Sequence, residues 1–300
     1  MKLRYFTEAV QTEYWMPNSD YLTIIASALR DKVKDGDIIV ISEKALAVAK
    51  GLIVNEGHVK PGLLAKILAY FWMKIIWGFF LGAICHLKKE NIQRLRNYPK
   101  KEGSIHKQVA LLYANFLQAL LWGSEGGIDG SNLPFAYVSL PLSNPQAVAE
   151  EIQLYLMSEL GRKITVMIVD TDKTYSFRNF HFTHRPAPIK EIHSFLGVIA
   201  YIFGRALKLK RRATPLAISG ARLDIESALN LAEAAHRARG SGAGRTVWDM
   251  AERFGVDLTG VTWDMLKSLR HKPIVIIRLR GASDSKPHRQ RNHSLRRREA

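Results

Sequence analysis

The feature that most narrows the possible folds is the run ILAYFWMKIIWGFFLGAIC at residues 67–85, nineteen residues that are almost entirely apolar. A bilayer span needs roughly 20 such residues. Lys74 stands near the middle of the run, where a spanning geometry would cost about 3 kcal/mol. Gly78 and Gly82 weaken it as an isolated helix in water. Structured segments are expected on both sides, and basic residues follow at once at Lys88, Lys89, Arg94 and Arg96. The reading favoured here is a helical hairpin buried against protein, with surface docking second and a span last. MKLRYFTEAVQTEYW at the start carries no apolar h-region, so no secretory signal is expected. The lone cysteine, Cys85, can form neither an intrachain disulfide nor a multi-cysteine zinc site. It suits a reducing, cytoplasmic setting and is expected to be buried and inert.

Charge is the second constraint. The chain of 300 residues holds 44 Lys and Arg against 27 Asp and Glu, a formal net charge of +17. Between residues 278 and 300 there are eight basic residues and two acids, so +6 belongs to the C-terminal segment and +11 to the body. A second basic cluster is Arg205, Lys208, Lys210, Arg211 and Arg212. Such a balance draws anionic partners, but nucleic-acid binders interleave aromatics with their cations, and no aromatic follows Trp263. No specific nucleic-acid partner is expected. Residues 282–300 are expected to be a disordered basic tail, because one large aliphatic, Leu295, cannot offset ordering costs of about 1–2 kcal/mol per residue.

Helix and strand signals alternate without a regular βαβ period. Residues 18–34 read as a helix capped by Asn18 or Ser19, and Asp35-Gly36 turns into an apolar strand at 38–41. Residues 88–105 read as a loop or partly helical insert and 106–122 as a helix. Phe135–Leu140 is a short strand. Asn144-Pro145 opens a helix that Gly161 closes. Residues 164–169 form the clearest strand. Residues 214–219 and 273–279 are further strands, and 224–239, 247–254 and 263–269 are helices. The class expected is α+β, with mixed sheets and interleaved helices. The domain reading is one body over 1–281, in one or two lobes, with a divergent helical insert at about 66–122.

The chemistry lies in the loops. GSEGGIDGSN at 123–132 places Asp129 among glycines that let backbone amides approach a phosphate, and an acid there suggests a metal between loop and phosphate. Asp170-Thr171-Asp172 stands at the end of the apolar strand, where a fixed carboxylate can hold Mg²⁺ or Mn²⁺ while phosphates complete the shell. Each alone has a plain alternative, a tight turn or a polar strand end. GSGAGRT at 240–246 is not a Walker A loop, because Arg239 and Arg245 stand where the motif requires Gly and Lys. Through Gly242 and Gly244 it serves either as phosphate contact or as a flexible linker. His181 and His184 have a spacing compatible with metal, but lie in a Pro-rich loop.

GGIDGSN at 126–132, the Asp170-Thr171 pair after an apolar strand, and Asp35-Gly36-Asp37 followed by IIVISEKALAVAKG together resemble the coenzyme F420-0:L-glutamate ligase family. The resemblance covers roughly residues 20–280, apart from 66–122. It implies amide-bond formation driven by GTP and a divalent metal, Mg²⁺ or Mn²⁺, between an acid acceptor and an amino acid, glutamate in the family's reaction, through an acyl phosphate, and it implies a homodimer. Asp129, Asp170 and Thr171 match metal-ligand positions, and Asn132, with Gly126 and Gly127 beside it, matches a nucleotide contact. Lys44 matches the first lysine of the N-terminal element and Arg178 the family's Phe-Arg pair; both would neutralise phosphate or carboxylate charge. The chain departs from the pattern at Val48, Lys50 and Ala234-Ala235. A non-catalytic nucleotide- or polyanion-binding protein, or a paralogue acting on another acceptor, is the alternative reading.

Overall fold

The computed structural model describes residues 4–279. The expected tail at 282–300 lies outside them. The core is a mixed sheet built on apolar runs. Strand β2 (Ile38–Ser42) pairs in parallel with β5 (Thr165–Phe177), aligning Ser42 with Val169. On its other side β2 pairs antiparallel with β9 (His271–Leu279), and β9 pairs antiparallel with β1 (Tyr5–Thr12). β9 therefore lies between β1 and β2. Beyond β5 stand the antiparallel strands β6 (Phe180–Thr183) and β8 (Lys210–Ser219), and β6 carries the short parallel strand β7 (His193–Ser194). A separate ribbon joins β3 (Ile53–Asn55) to β4 (Tyr137–Ser139). The mixed sheet and interleaved helices are the α+β class expected.

Continuous apolar runs need cover on both faces, and alternate residues divide accordingly. Ile39, Ile41, Val166, Ile168, Ile274 and Ile276 face one way. They pack with residues of α1 (Tyr21–Leu29), α2 (Glu43–Ala49) and α7 (Pro145–Leu160). Their neighbours Ile38, Val40, Met167, Val169, Val275 and Ile277 face the other way, against Ala228, Leu231 and Ala232 of α9 (Ile225–Arg239). Three caps set helix ends, and the first two are those expected from the sequence. Asn144 accepts from Ala147 N ahead of Pro145, Gly161 closes α7 in the left-handed region, and Asp224 caps α9. The first helix is shorter than expected, and its cap is Asp20, whose side chain accepts from Thr23 N.

The insert differs most from expectation. Residues 67–85 are not a hairpin: α3 runs unbroken from Leu63 to Ile84, about one-third buried, and its middle, Leu68–Leu81, is wound as a π-helix. Gly78 and Gly82 do not break it. They are contact points, for a Cβ at Gly78 would stand 3.2 Å from the Arg96 amide and one at Gly82 3.1 Å from the Ile92 side chain. Both neighbours belong to α4 (Lys89–Arg96). Helices α5 (Lys100–Tyr113) and α6 (Phe116–Ala119) replace the loop and single helix expected over 88–122. Helix α8 (Val198–Ala206) packs beside the end of α3. Helices α10 (Val247–Phe254) and α11 (Trp263–Lys267) close the C-terminal part.

Candidate functional site

Strand β5 does not stop at Val169, as its apolar run suggests; it continues to Phe177. β2 pairs with it as far as Val169, and β6 takes over only at Thr174. The pairing with β8 slips between Asp170 and Lys173. Residues 170–173 thus form a bulge with a gap on one flank, and bulges re-aim side chains beside active sites. The gap is filled from two directions. Glu43 and Lys44 open α2 at the carboxyl end of β2, where open α/β sheets place ligands. His184 and Arg185 follow β6.

Arg185 is the pivot. It is 98% buried by side chain. Its Nε donates to Asp170 Oδ2 at 2.5 Å, Nη2 to Glu43 Oε1 at 2.6 Å, and Nη1 to the Gly126 carbonyl at 3.1 Å. Burial alone would raise the Asp170 carboxyl, but the guanidinium outweighs it and holds that group below its ordinary value. Glu43 is buried more completely, and its carboxyl is pushed up to about 7 despite the same arginine. Gly127, at φ +98°, lies against Arg185, and a Cβ there would stand 2.7 Å from the guanidinium carbon. Glycine is thus required twice at this position, by backbone conformation and by the close approach.

Asp129 is pinned by reciprocal backbone bonds with Ser139, at 3.3 and 3.1 Å. Its Oδ1 accepts from Ser131 N at 2.6 Å, an Asx turn within the loop, and its other oxygen accepts from Lys44 Nζ. Lys44 also donates to Ser131 Oγ at 2.6 Å. Asn132, in the left-handed region at φ +55°, ties the two Gly-rich loops together. Its Oδ1 accepts from Ala243 N at 2.6 Å and its Nδ2 donates to the Gly244 carbonyl at 3.1 Å. A Cβ at Gly242 would strike Asn132.

Segments of both Gly-rich loops and of the β5 bulge line one cavity of about 320 Å³. Asp129, Ser131, Thr171, Asp172, Lys173 and Arg245 supply its polar wall, and Tyr98, Trp122, Tyr201 and Trp248 much of its apolar one. Asp172 accepts from Ser124 Oγ at 2.9 Å and stands 3.6 Å from His184 Nε2. Burial, then the neighbouring Asp170, push the Asp172 carboxyl above its ordinary value. The hard oxygen donors Asp129, Thr171 and Asp172 fit Mg²⁺ or Mn²⁺, which protein sites commonly hold through one or two carboxylates with substrate phosphates completing the shell. Among the described residues no three His, Cys, Asp or Glu side chains form a ready-made metal cluster.

Of the expected residues Asp129 and Thr171 line the cavity, whereas Lys44, Asn132, Gly126, Gly127, Gly242 and Gly244 are not part of its lining, and neither are Asp170 and Arg178. Asp170 is committed to Arg185, and it is Asp172 that lines the cavity. Arg178 lies outside the cavity lining, at the exposed turn between β5 and β6, where its guanidinium covers the Phe177 ring. The Lys and Arg side chains of the cavity lining are Lys173 and Arg245, and Lys44 reaches it only through Asp129 and Ser131. His181 and His184 have separate partners: His181 Nδ1 is bonded to Ser176 Oγ, and His184 Nε2 stands 3.6 Å from Asp172. Cys85 is buried as expected, and burial pushes its thiol up to about 11.

The insert supplies a further set that sequence reasoning passed over. Lys107 and Glu125, 0% and 1% exposed, form an ion pair, and Lys107 also donates to the Leu121 carbonyl. His106 bridges Glu56 Oε1 at 2.6 Å and Glu125 Oε2 at 3.1 Å. Burial would raise Glu125, but Lys107 and His106 bring its carboxyl down to about 2. For Lys107 burial prevails and lowers the ammonium, whereas for His106 the two carboxylates prevail and raise the imidazole well above its ordinary value. On the other side Arg94 Nη1 donates to Asp249 Oδ1 at 2.7 Å, and Asp249 caps the second Gly-rich loop into α10 through a capping box with Thr246. The insert thus grips both loops.

The profile of the family described as F420-0:Gamma-glutamyl ligase matches residues 9–223. The chain belongs to this family. The match includes β2 with Glu43 and Lys44, the first Gly-rich loop, the β5 bulge and Arg185; the second Gly-rich loop falls after its end. A relative from Methanocaldococcus jannaschii, "Uncharacterized protein MJ1361", is 33% identical over 297 residues, covering 94% of this chain and 98% of its own. The match thus spans nearly the whole length of this gamma-glutamyl ligase family member and of that relative.

Proposed function

We propose that this protein is an acid–amino-acid ligase that uses GTP and Mg²⁺ or Mn²⁺ to join an amino acid, glutamate in the family's reaction, to a carboxylate acceptor. The observation that carries the reading is the convergence of the Asp129 loop, the Thr171–Lys173 part of the bulge and the Arg245–Thr246 end of the second Gly-rich loop on one cavity. An acceptor carboxylate oxygen bonds to the terminal phosphorus as the bond to the bridging oxygen breaks, giving an acyl phosphate and GDP. The amine then attacks the acyl carbon, phosphate leaves with the surplus proton, and the amide remains. Neither step needs a side-chain nucleophile. Both crowd anions together, so fixed positive charge supplies the catalysis.

The divalent metal, when bound by Asp129, Thr171 and Asp172, would neutralise phosphate charge. Arg245 and Lys173 bring cations to the same wall, and Lys44 sets the Asp129 carboxylate in place. Arg185 holds Asp170 and the Gly126–Gly127 backbone, a positioning role. The aromatic wall excludes water, which would otherwise hydrolyse the acyl phosphate.

The test separates ligand from scaffold. Asp129→Asn should keep the folded secondary structure of the metal-free protein by circular dichroism, lose the thermal stabilisation given by GTP with Mn²⁺, and lose phosphate release with acceptor acid and glutamate by about 100-fold or more. Asp129→Asn protein that binds Mn²⁺ and GTP as the parent does would overturn the site. Phosphate release unchanged by any acceptor acid would overturn the ligase reading.

A further inference from the structure

Helix α3 has two opposite faces. Ala69, Met73 and Trp77 turn inward at four-residue spacing and are buried with Leu95 and Leu121. Ile67, Tyr70, Phe71, Phe79, Phe80 and Ile84 turn outward, each 47–59% exposed. The two sets are offset by about two residues. On a π-wound helix, whose backbone bonds run i→i+5, that offset is close to half a turn. A contiguous apolar stripe of this size on a protein surface marks a contact site. At its far end, Arg205 Nε donates to the Cys85 carbonyl at 2.8 Å and brings α8 alongside. There Ile199, Phe203 and Leu207 are exposed at the same spacing.

The charges around the stripe decide what covers it. Residues 60–101 contain nine Lys or Arg and one acid, Glu90. Several of these cations lie on the stripe's own aromatics. Lys100 and Lys74 stand 4.9 and 5.8 Å from the centre of the Tyr70 ring, and Arg96 stands 4.6 Å from that of Phe79. Long basic side chains flanking aromatic and aliphatic groups are the pattern of helices that lie in an anionic lipid interface, with apolar groups at the acyl boundary and cations at the headgroups. A second copy of the chain would set like charges against each other across the same face. Lys74, which argues against a span, suits a helix lying flat, since its ammonium extends to the headgroup level. Spanning would strip Met73 and Trp77 from their packing and break the bonds from Trp77 Nε1 to the Leu120 carbonyl and from Arg96 Nε to the Gly78 carbonyl, 2.8 and 2.9 Å.

We infer that the outer face of α3 docks this protein peripherally on an anionic membrane surface, lying in the interface plane. The inference is independent of the ligase reading. The test is flotation of the full chain with vesicles of phosphatidylglycerol and phosphatidylcholine, against vesicles of phosphatidylcholine alone. Binding should require the anionic lipid and fall with added salt. The double variant Phe71→Ser/Phe80→Ser should reduce the bound fraction at least tenfold while keeping the parent's melting temperature. Leu154→Ser, an exposed apolar residue on α7, should bind as the parent does. The basic C-terminal segment is present in every arm, so its attraction to lipid cancels. Equal flotation of parent and double variant would overturn the inference, as would no flotation with either lipid. So would a dimer, seen by sedimentation, that the double variant splits, since a second copy would then cover the face.

Discussion

At the scale of single residues, the site rests on ions that are buried and fully engaged. Arg185 answers two carboxylates and a carbonyl at once, and removing one partner of such a set leaves the others charged without compensation. Arg185→Met should cost about 3–5 kcal/mol in chemical denaturation. Arg185→Lys should recover little, because an ammonium lacks the fork that reaches Glu43, Asp170 and Gly126 together. His106 and Glu125 give opposite pH signatures. Glu125 is depressed to about 2, so its contribution is complete above the ordinary glutamate value and is lost as pH falls toward 2. His106 is raised, so its contribution is complete below the ordinary histidine value near 6.5 and is lost as pH rises through its folded value. The stability gap between parent and His106→Gln should therefore narrow from about pH 6 toward alkaline pH. A gap that widens over that range would show a neutral imidazole. Neither Arg185 nor Glu125 carried a sequence signal beyond its neighbours. Glu43 was adjacent to the recognised Lys44 and Arg185 to His184, but burial and pairing across 142 residues are products of the sheet and leave no local pattern.

At the scale of elements, the insert and the two Gly-rich loops behave as one assembly. Asn132 joins loop to loop, Arg94 joins α4 to the second loop, and Lys107 joins α5 to the first. Gly242→Ala forces a side chain into the left-handed region against Asn132. It should cost about 1–2 kcal/mol in stability and raise the KM for GTP more than it lowers kcat, measured by phosphate release. An unchanged KM would mean that the loop does not contact nucleotide. The apolar run is helical, as its composition predicts, but it is a single helix and not a buried hairpin. Composition showed that it was apolar, but not that Gly78 and Gly82 receive α4 rather than bend the chain. Strand β5 shows the same limit from the other side. Ile164–Val169 announces itself by hydrophobicity, but the polar continuation Asp170–Phe177 is strand only because β6 and β8 pair with it, and tertiary pairing overrides local preference.

At the scale of the whole molecule, what was legible followed from local chemistry. Caps at Asn144, Gly161 and Asp224, apolar strands at 38–41 and 273–279, and the Gly-rich loops all have short-range causes. Strand β1 has none as clear; YFTEAVQT alternates weakly, and its place is set by β9, some 265 residues later. The two registers that bring the site together, β2 beside β5 and β9 beside β2, likewise join distant segments. Folding should be slow for a chain of this size, since long-range closure precedes most of the reward. Refolding from denaturant should show populated intermediates in stopped-flow fluorescence, and single-exponential recovery with no burst amplitude would contradict this.

The position of β9 has a consequence for biosynthesis. A ribosome delivers strands in order, and the one that zips β1 to β2 is made after all the others. Until His271–Leu279 emerges, Ile39 and Ile41 are open along one flank, and β1 has no neighbour to pair with. A nascent chain arrested before residue 270 is therefore an unfinished sheet with two exposed edges, a client for chaperones and proteases rather than a slightly shorter enzyme.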